Sequence, residues 1–198
     1  MFVFVYGSLL WPASLRSTLP SARLDACVPA LCRGVVRDFD VAFPNDGTQR
    51  DKSYMDAGWR RPRTVLFANL KHHPRRATNG LCVPVDEHDL RRLRRRELRY
   101  DLQELTGTVT PYEGCGTVDR PVVAFLGKPA FTDPDRVPGG VVPMAYLRLI
   151  ESGARHWSGR CPGFLSDYHA STRPPRRTES LLRIDHLEEV VPSAGSLG

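Results

Sequence analysis

An α+β fold is what this sequence predicts, and three observations carry that reading. Runs rich in β-branched and aromatic residues, such as Phe2–Val5 and Thr64–Leu70, have strand character. Two stretches, 86–100 and 143–154, have helical spacing instead. The 17 prolines and 16 glycines imply many turns and argue against an all-helical bundle.

Taken in order, Phe2–Val5 shows no alternation, which suits a strand covered on both faces. The apolar run is interrupted at Tyr6-Gly7-Ser8-Leu9, and Leu10–Leu15 turns through Pro12 into a short helix. Cys32–Phe43 mixes apolar and polar positions, as a strand exposed on one side does. Asn45–Arg63 is polar, carries Gly47, Gly58 and Pro62, and reads as a long loop. After the Thr64–Leu70 strand, Pro74–Asn79 reads as a turn, and Asn79-Gly80 introduces the next strand, NGLCVPV. The segment VDEHDLRRLRRRELRYD is the clearest helix. Asp86 is its N-cap, Glu87 and Asp89 favour the first turn, and arginines fill the second half. Leu102–Val109 and Pro121–Phe125 read as strands, and Pro143–Ala154 and Phe164–Ala170 as helices, the first with proline near its start. Residues 1–175 are expected to form one domain. Residues 176–198, rich in proline, arginine and serine, are expected to form a C-terminal tail with one apolar patch at Leu181-Leu182.

Hydrophobic content of 41% and charged content of 25% are those of a soluble globular protein, and 198 residues suffice for a sizeable core. The net charge of +6 permits an anionic partner, nucleic acid or acidic metabolite, without choosing between them. The five cysteines are scattered with no C-x-x-C pair, and the Cys27 to Cys32 spacing does not suit a zinc knuckle, so they read as reduced thiols of a cytoplasmic protein. The N-terminal apolar run lacks a positive n-region, since the first charge is Arg16, and Pro12 breaks it early. No apolar stretch has membrane-spanning length, so no membrane partner is expected. His72-His73 are adjacent and project in different directions, so no metal site is expected. The basic runs RRLRRREL and RRPR would suit phosphate contacts, but no nucleic-acid motif accompanies them and aromatics are not interleaved. No nucleic-acid partner is expected.

One residue breaks the helical pattern. Leu90 and Leu93 define an apolar stripe, and seven residues after the first, or four after the second, stands Glu97. Arginines 91, 92, 94, 95 and 96 take the other directions. Burying a lone carboxylate costs several kcal/mol, which a raised pKa relieves. A glutamate so tuned on a rigid element suits general acid–base chemistry near neutral pH. The same spacing fits a helix that frays before Glu97, or a surface pair of Glu97 with Arg94 or Arg96.

Tyr6-Gly7-Ser8-Leu9 directly after an N-terminal strand, and a glutamate after LRRLRRR followed by Tyr100-Asp101, resemble the γ-glutamylcyclotransferase-like superfamily. The intervening order also fits: Asn79-Gly80, a strand at Val83–Val85, then the acidic-capped helix. MAYLRLIESGA is similar to the family's late helix, and the likeness spans Phe2 to about Pro175. The resemblance implies a small mixed β-barrel with flanking helices and a cavity at the strand ends. It also implies release of 5-oxoproline from a small-molecule γ-glutamyl compound, without a cofactor. Carried over by motif, Tyr6, Gly7, Ser8 and Leu9 would bind the γ-glutamyl moiety, Glu97 would be the catalytic acid–base, and Tyr146 would line the pocket. The chain departs from the pattern at Leu98-Arg99, where some branches have glycines, and in the Asn45–Arg63 loop. Glutathione, γ-glutamyl amino acids, γ-glutamylamines and a γ-glutamyl-protected biosynthetic intermediate all fit as substrates. The alternatives are a module that holds a γ-glutamyl or amine ligand without turnover, a basic RNA-binding protein using RRLRRREL and RRPR, an ordinary turn at Tyr6-Gly7-Ser8 with Tyr6 in the core, and a packing role for Tyr146.

Overall fold

The N-terminal apolar run forms β1 (Phe2–Val5), buried at every position, as an unalternating strand must be when both faces are covered. A single 3₁₀ turn (Ser8–Leu10) leads into α1 (Pro12–Thr18), which has proline in its first turn. Next come β2 (Val28–Pro44), β3 (Lys52–Met55) and β4 (Thr64–Pro84). The helix α2 (Glu87–Arg96) is capped by Asp86, whose side chain accepts a 2.8 Å hydrogen bond from the Asp89 N–H. Beyond it lie β5 (Tyr100–Glu104), β6 (Val109–Pro111), β7 (Val122–Gly127) and the short α3 (Pro129–Thr132). Then follow β8 (Val142–Pro143), α4 (Met144–Ser158), α5 (Phe164–Ser171), β9 (Thr178–Glu179) and β10 (Leu182–Asp185). The computed structural model describes residues 1–48, 52–133 and 139–186.

Among the described residues six strands form one mixed sheet in the order β5-β7-β1-β4-β2-β6, curled as a half-barrel with helices around it. The α+β class is as expected, and the sheet is a half-barrel with β5 and β6 at its edges. β1 lies inside the sheet, antiparallel to β4 and parallel to β7. At the end of β1, a Cβ on Gly80 would lie 2.5 Å from the Val5 carbonyl oxygen and 2.6 Å from the Phe4 ring, so only glycine lets β4 pass there. On the far side of the site, α4 presses Gly153 against Leu10, and the Trp157 Nε1–H donates to the Leu10 carbonyl at 2.8 Å. The turn that follows β1 is therefore fixed from both sides. Among the described residues no helix is long and apolar enough to cross a membrane.

Several elements differ from the sequence expectation, each for a tertiary reason. The chain does not turn back at Pro74–Asn79. β4 runs through it, because both of its halves pair with the long β2, and residues 73–76 swell out opposite Gly34. Pro74 sits in that swelling, outside the paired register, where no ladder N–H is required. β2 itself is buried over most of its length, with α3 and α5 packed against it, so it is not a one-sided strand. The expected Asn45–Arg63 loop contains β3, and residues 49–51 lie outside the described residues. Leu102–Val109 is divided between β5 and β6, which pair with different partners.

Of the expected tail, residues 176–186 carry β9, which pairs with β8, and β10, which pairs with β3. Leu181 packs into a second apolar cluster with Phe43, Tyr54, Val65 and Val141. Residues 187–198 lie outside the described residues.

Candidate active site

The site begins at Tyr6, where β1 gives way to the 3₁₀ turn. The Tyr6 hydroxyl donates to the Phe125 carbonyl on β7, and its own carbonyl accepts from Arg37 Nε at 2.8 Å. Arg37 is fully buried in β2. Its remaining donors reach the Asn79 carbonyl, the Asn79 side-chain oxygen and, at 2.7 Å, the Thr172 hydroxyl. Burial lowers its pKa to about 10. A buried cation is tolerated here because every face of the guanidinium fork finds an oxygen or the Tyr168 ring, 4.8 Å away. The cost of that burial is spent on fixing the residue that opens the turn.

Gly7 and Ser8 start the turn itself, with Leu10 N–H donating to the Gly7 carbonyl at 3.0 Å and Trp11 N–H to the Ser8 carbonyl at 3.2 Å. Opposite them stand two tyrosines held by a single residue of β4. The Ala68 N–H donates to the Tyr146 hydroxyl oxygen at 3.3 Å, and the Ala68 carbonyl accepts from the Tyr100 hydroxyl at 2.9 Å. Burial raises the pKa of Tyr6, Tyr100 and Tyr146, so all three phenols keep their protons at neutral pH.

Glu97 is not inside the helix. It is the residue on which α2 closes, its N–H still donating to the Leu93 carbonyl at 2.8 Å, one turn below. That bond keeps the carboxylate on the Leu90–Leu93 side even though the helix stops at Arg96. Its side chain is only 19% exposed. Burial raises its pKa, opposed first by Arg96 and then by Lys52 and Arg99. The surface pair that the spacing also allowed is present in part: Arg96 Nε lies 3.2 Å from Glu97 Oε1. Arg96 also donates to the Ser8 hydroxyl at 3.0 Å and to the Thr18 hydroxyl, so the pair points inward, toward the turn after β1.

These groups surround an open pocket of about 60 Å³, lined by Tyr6, Gly7, Ser8, Leu9, Glu97 and Tyr146 together with Ala68, Tyr100, Phe125 and residues 3–5. All six residues singled out in the sequence therefore meet at one cavity. Beside it lies a wider cleft of about 640 Å³, which shares Ser8, Glu97, Tyr100 and Tyr146 with the pocket. Sequence reasoning did not single out Tyr100, Ala68, Phe125, Arg96 or Arg37 as parts of the site. Arg37 left only a faint trace, as the single cation of GVVRDFDVAF, where Asp38 and Asp40 supply ready local counter-charges. Ala68 left none, because it contributes only backbone groups.

No protein-family profile matches the chain, and neither does any curated protein sequence. Solved structures do match. One, described as a γ-glutamyl cyclotransferase, is 16% identical and superposes with a TM-score of 0.59 over 88% of this chain and 89% of its own. An uncharacterized human protein is 18% identical, with a TM-score of 0.60 over 90% of this chain and 91% of its own. YkqA from Bacillus subtilis is 15% identical, with a TM-score of 0.52 over 88% of this chain and 56% of its own. At such identities the likeness is one of fold. The chain has the γ-glutamylcyclotransferase-like fold.

Proposed function

We propose that this protein is a γ-glutamyl cyclotransferase, releasing 5-oxoproline and an amine from a γ-glutamyl compound. The observation that supports it most is that Glu97, its pKa raised by burial, lines the same pocket as Tyr6, Gly7, Ser8 and Leu9. In a γ-glutamyl amide the α-amino group attacks its own γ-carbonyl and closes a five-membered lactam, so the reaction calls for no protein nucleophile. The Glu97 carboxylate takes a proton from the α-ammonium. The freed nitrogen forms the lactam C–N bond, the carbonyl oxygen passes through an oxyanion, and the bond to the departing amine breaks. That amine receives the proton from Glu97; the regenerated carboxylate then takes the second proton that the lactam nitrogen sheds and passes it on, so the amine departs as an ammonium and Glu97 ends as it began. Holding the flexible chain folded, nitrogen over carbon, supplies up to ~7–11 kcal/mol of the barrier in well-oriented cases.

The cradle residues serve positioning and charge. Gly7 lets backbone approach the ligand, the N–H groups around Gly7-Ser8 meet the substrate carboxylate or the oxyanion, and the neutral Tyr146 hydroxyl, which accepts from the Ala68 N–H, has its own proton to donate to a polar atom of the ligand. The test is a panel of γ-glutamyl compounds assayed for 5-oxoproline, with Glu97→Gln beside the wild type. Turnover by the variant is expected to fall by ~10²–10⁴-fold, the usual weight of a general acid–base group, with an unchanged circular-dichroism spectrum. If the glutamine variant keeps most of its activity, the assignment of Glu97 is wrong. Ligand binding without 5-oxoproline release would make the protein a binding module instead.

A further inference from the structure

The wide cleft beside the pocket has a charge pattern that the reaction itself does not explain. Lys52, Arg96, Arg99 and Arg183 line it, and Glu97 is the only carboxylate among the described lining residues. The four cations come from distant parts of the chain: β3, the junction of α2 with β5, and β10. One aromatic cluster gathers three of them, and Arg96 is held beside it by Glu97, Ser8 and Thr18. The Arg99 guanidinium lies 4.5 Å from the centre of the Phe43 ring and Lys52 Nζ 5.4 Å from it. Tyr54 stands edge-on to that ring at 5.6 Å, and Arg183 is paired opposite Tyr54 in the β3–β10 ladder. Arg183 also pairs with Asp185, but their side chains are 56% and 63% exposed, so exchanging that partner for a ligand costs little.

Pocket and cleft meet at Ser8, Glu97, Tyr100 and Tyr146. A substrate with its scissile bond beside Glu97 and its γ-glutamyl half against Tyr6–Leu9 sends its departing amine into the cleft. We infer that the cleft is an anion subsite for the departing half, so that the preferred substrates carry a carboxylate or phosphate on the amine that is released. Which half lies where rests on the cyclotransferase reading. Arginine and lysine side chains on a partly enclosed wall suit both anions, and they repel a departing group that is itself a cation.

Four γ-glutamyl compounds built on a two-carbon amine isolate the charge: those of ethanolamine, β-alanine, phosphoethanolamine and ethylenediamine. The β-alanine or phosphoethanolamine compound is expected to exceed the ethanolamine compound in kcat/KM by at least about tenfold, the lower end of what a hydrogen bond to a charged group contributes. The ethylenediamine compound should be the poorest. Whichever anion leads identifies the subsite as one for carboxylate or for phosphate. Arg183→Glu should lower the ratio of anionic to neutral turnover, and added salt should lower it in the wild type. Equal kcat/KM for all four would overturn the anion subsite while leaving the cyclotransferase intact. If none releases 5-oxoproline, calorimetric binding of the same four compounds decides. Tighter binding of the anionic pair upholds the subsite and removes the reaction, and equal or absent binding removes the subsite.

Discussion

Gly7→Ala separates a ligand cradle from an ordinary turn. The backbone at Gly7 has φ −111° and ψ −139°, so φ is open to an alanine while ψ lies outside the broad β region. Its Cβ would lie 3.2 Å from the Tyr146 hydroxyl oxygen and 3.6 Å from Ala68 Cβ, so the tyrosine must yield by a few tenths of an ångström. For stability the effects nearly cancel. Alanine restricts the unfolded chain, a gain of about 0.4–1 kcal/mol, and the crowded contact offsets it. The net change should stay within about 1 kcal/mol, or ~2–4 °C in Tm for a chain of this size. Function is affected more heavily. The methyl occupies pocket space and pushes on a hydroxyl whose bond to the Ala68 N–H is already long, at 3.3 Å. Because ~1 Å of misplacement can cost ~100-fold, a loss of about 10–100-fold in kcat/KM is expected. Thermal denaturation and a 5-oxoproline assay on the same preparation measure both. Wild-type turnover by the alanine variant would refute the cradle, and a collapse in Tm would assign Gly7 to folding.

Gly153→Ala should do the reverse, because its Cβ would meet backbone, 2.6 Å from the Leu10 carbonyl carbon and 2.7 Å from the Trp11 nitrogen. Overpacking of this kind costs ~1–3 kcal/mol, so calorimetry should show a lower Tm, with KM rising as the turn carrying Ser8 is displaced. Glu97→Gln should be at least as stable as the wild type at neutral pH. The folded carboxyl titrates above the ordinary glutamate value of about 4.3. Between that value and its folded pKa the native chain holds the extra proton, so stability is fully present below the window and lost as pH rises through it. Urea denaturation of both proteins at acid and neutral pH should show the difference moving in the variant's favour as pH rises, and a shift the other way would mean that the carboxylate is stabilised in place.

The site was legible wherever a residue contradicted its own neighbourhood. Glu97 broke the stripe of Leu90 and Leu93, and Gly7-Ser8 interrupted an apolar run. Each conflict marked a place where packing alone could not account for the choice of residue. The partners that complete the site produced no such conflict. Tyr100 is anchored by the backbone of Ala68, as is Tyr146, to which only the likeness of its helix had pointed, and Arg96 reads as one more arginine of a solvated face until its bonds to Ser8 and Thr18 are seen. The end of α2 was misplaced because β5 begins at Tyr100 to pair with β7, a distant partner that leaves no local signature. Pairing across the chain also outweighed local turn chemistry. Pro74–Asn79 stays extended because β2 continues beside it, and KSYM and LRID become strands only by finding each other.

The closing position of α2 has a consequence for how this gene can drift. Arg91, Arg94 and Arg95 face outward and contribute little to where the carboxylate sits, so their identities are free to wander. The count of residues from the Asp86 cap to Arg96 is not free. Each codon gained or lost there swings Glu97 by about 100° and shifts it by ~1.5 Å along the axis, so an in-frame deletion that spares every named side chain would still empty the pocket of its acid.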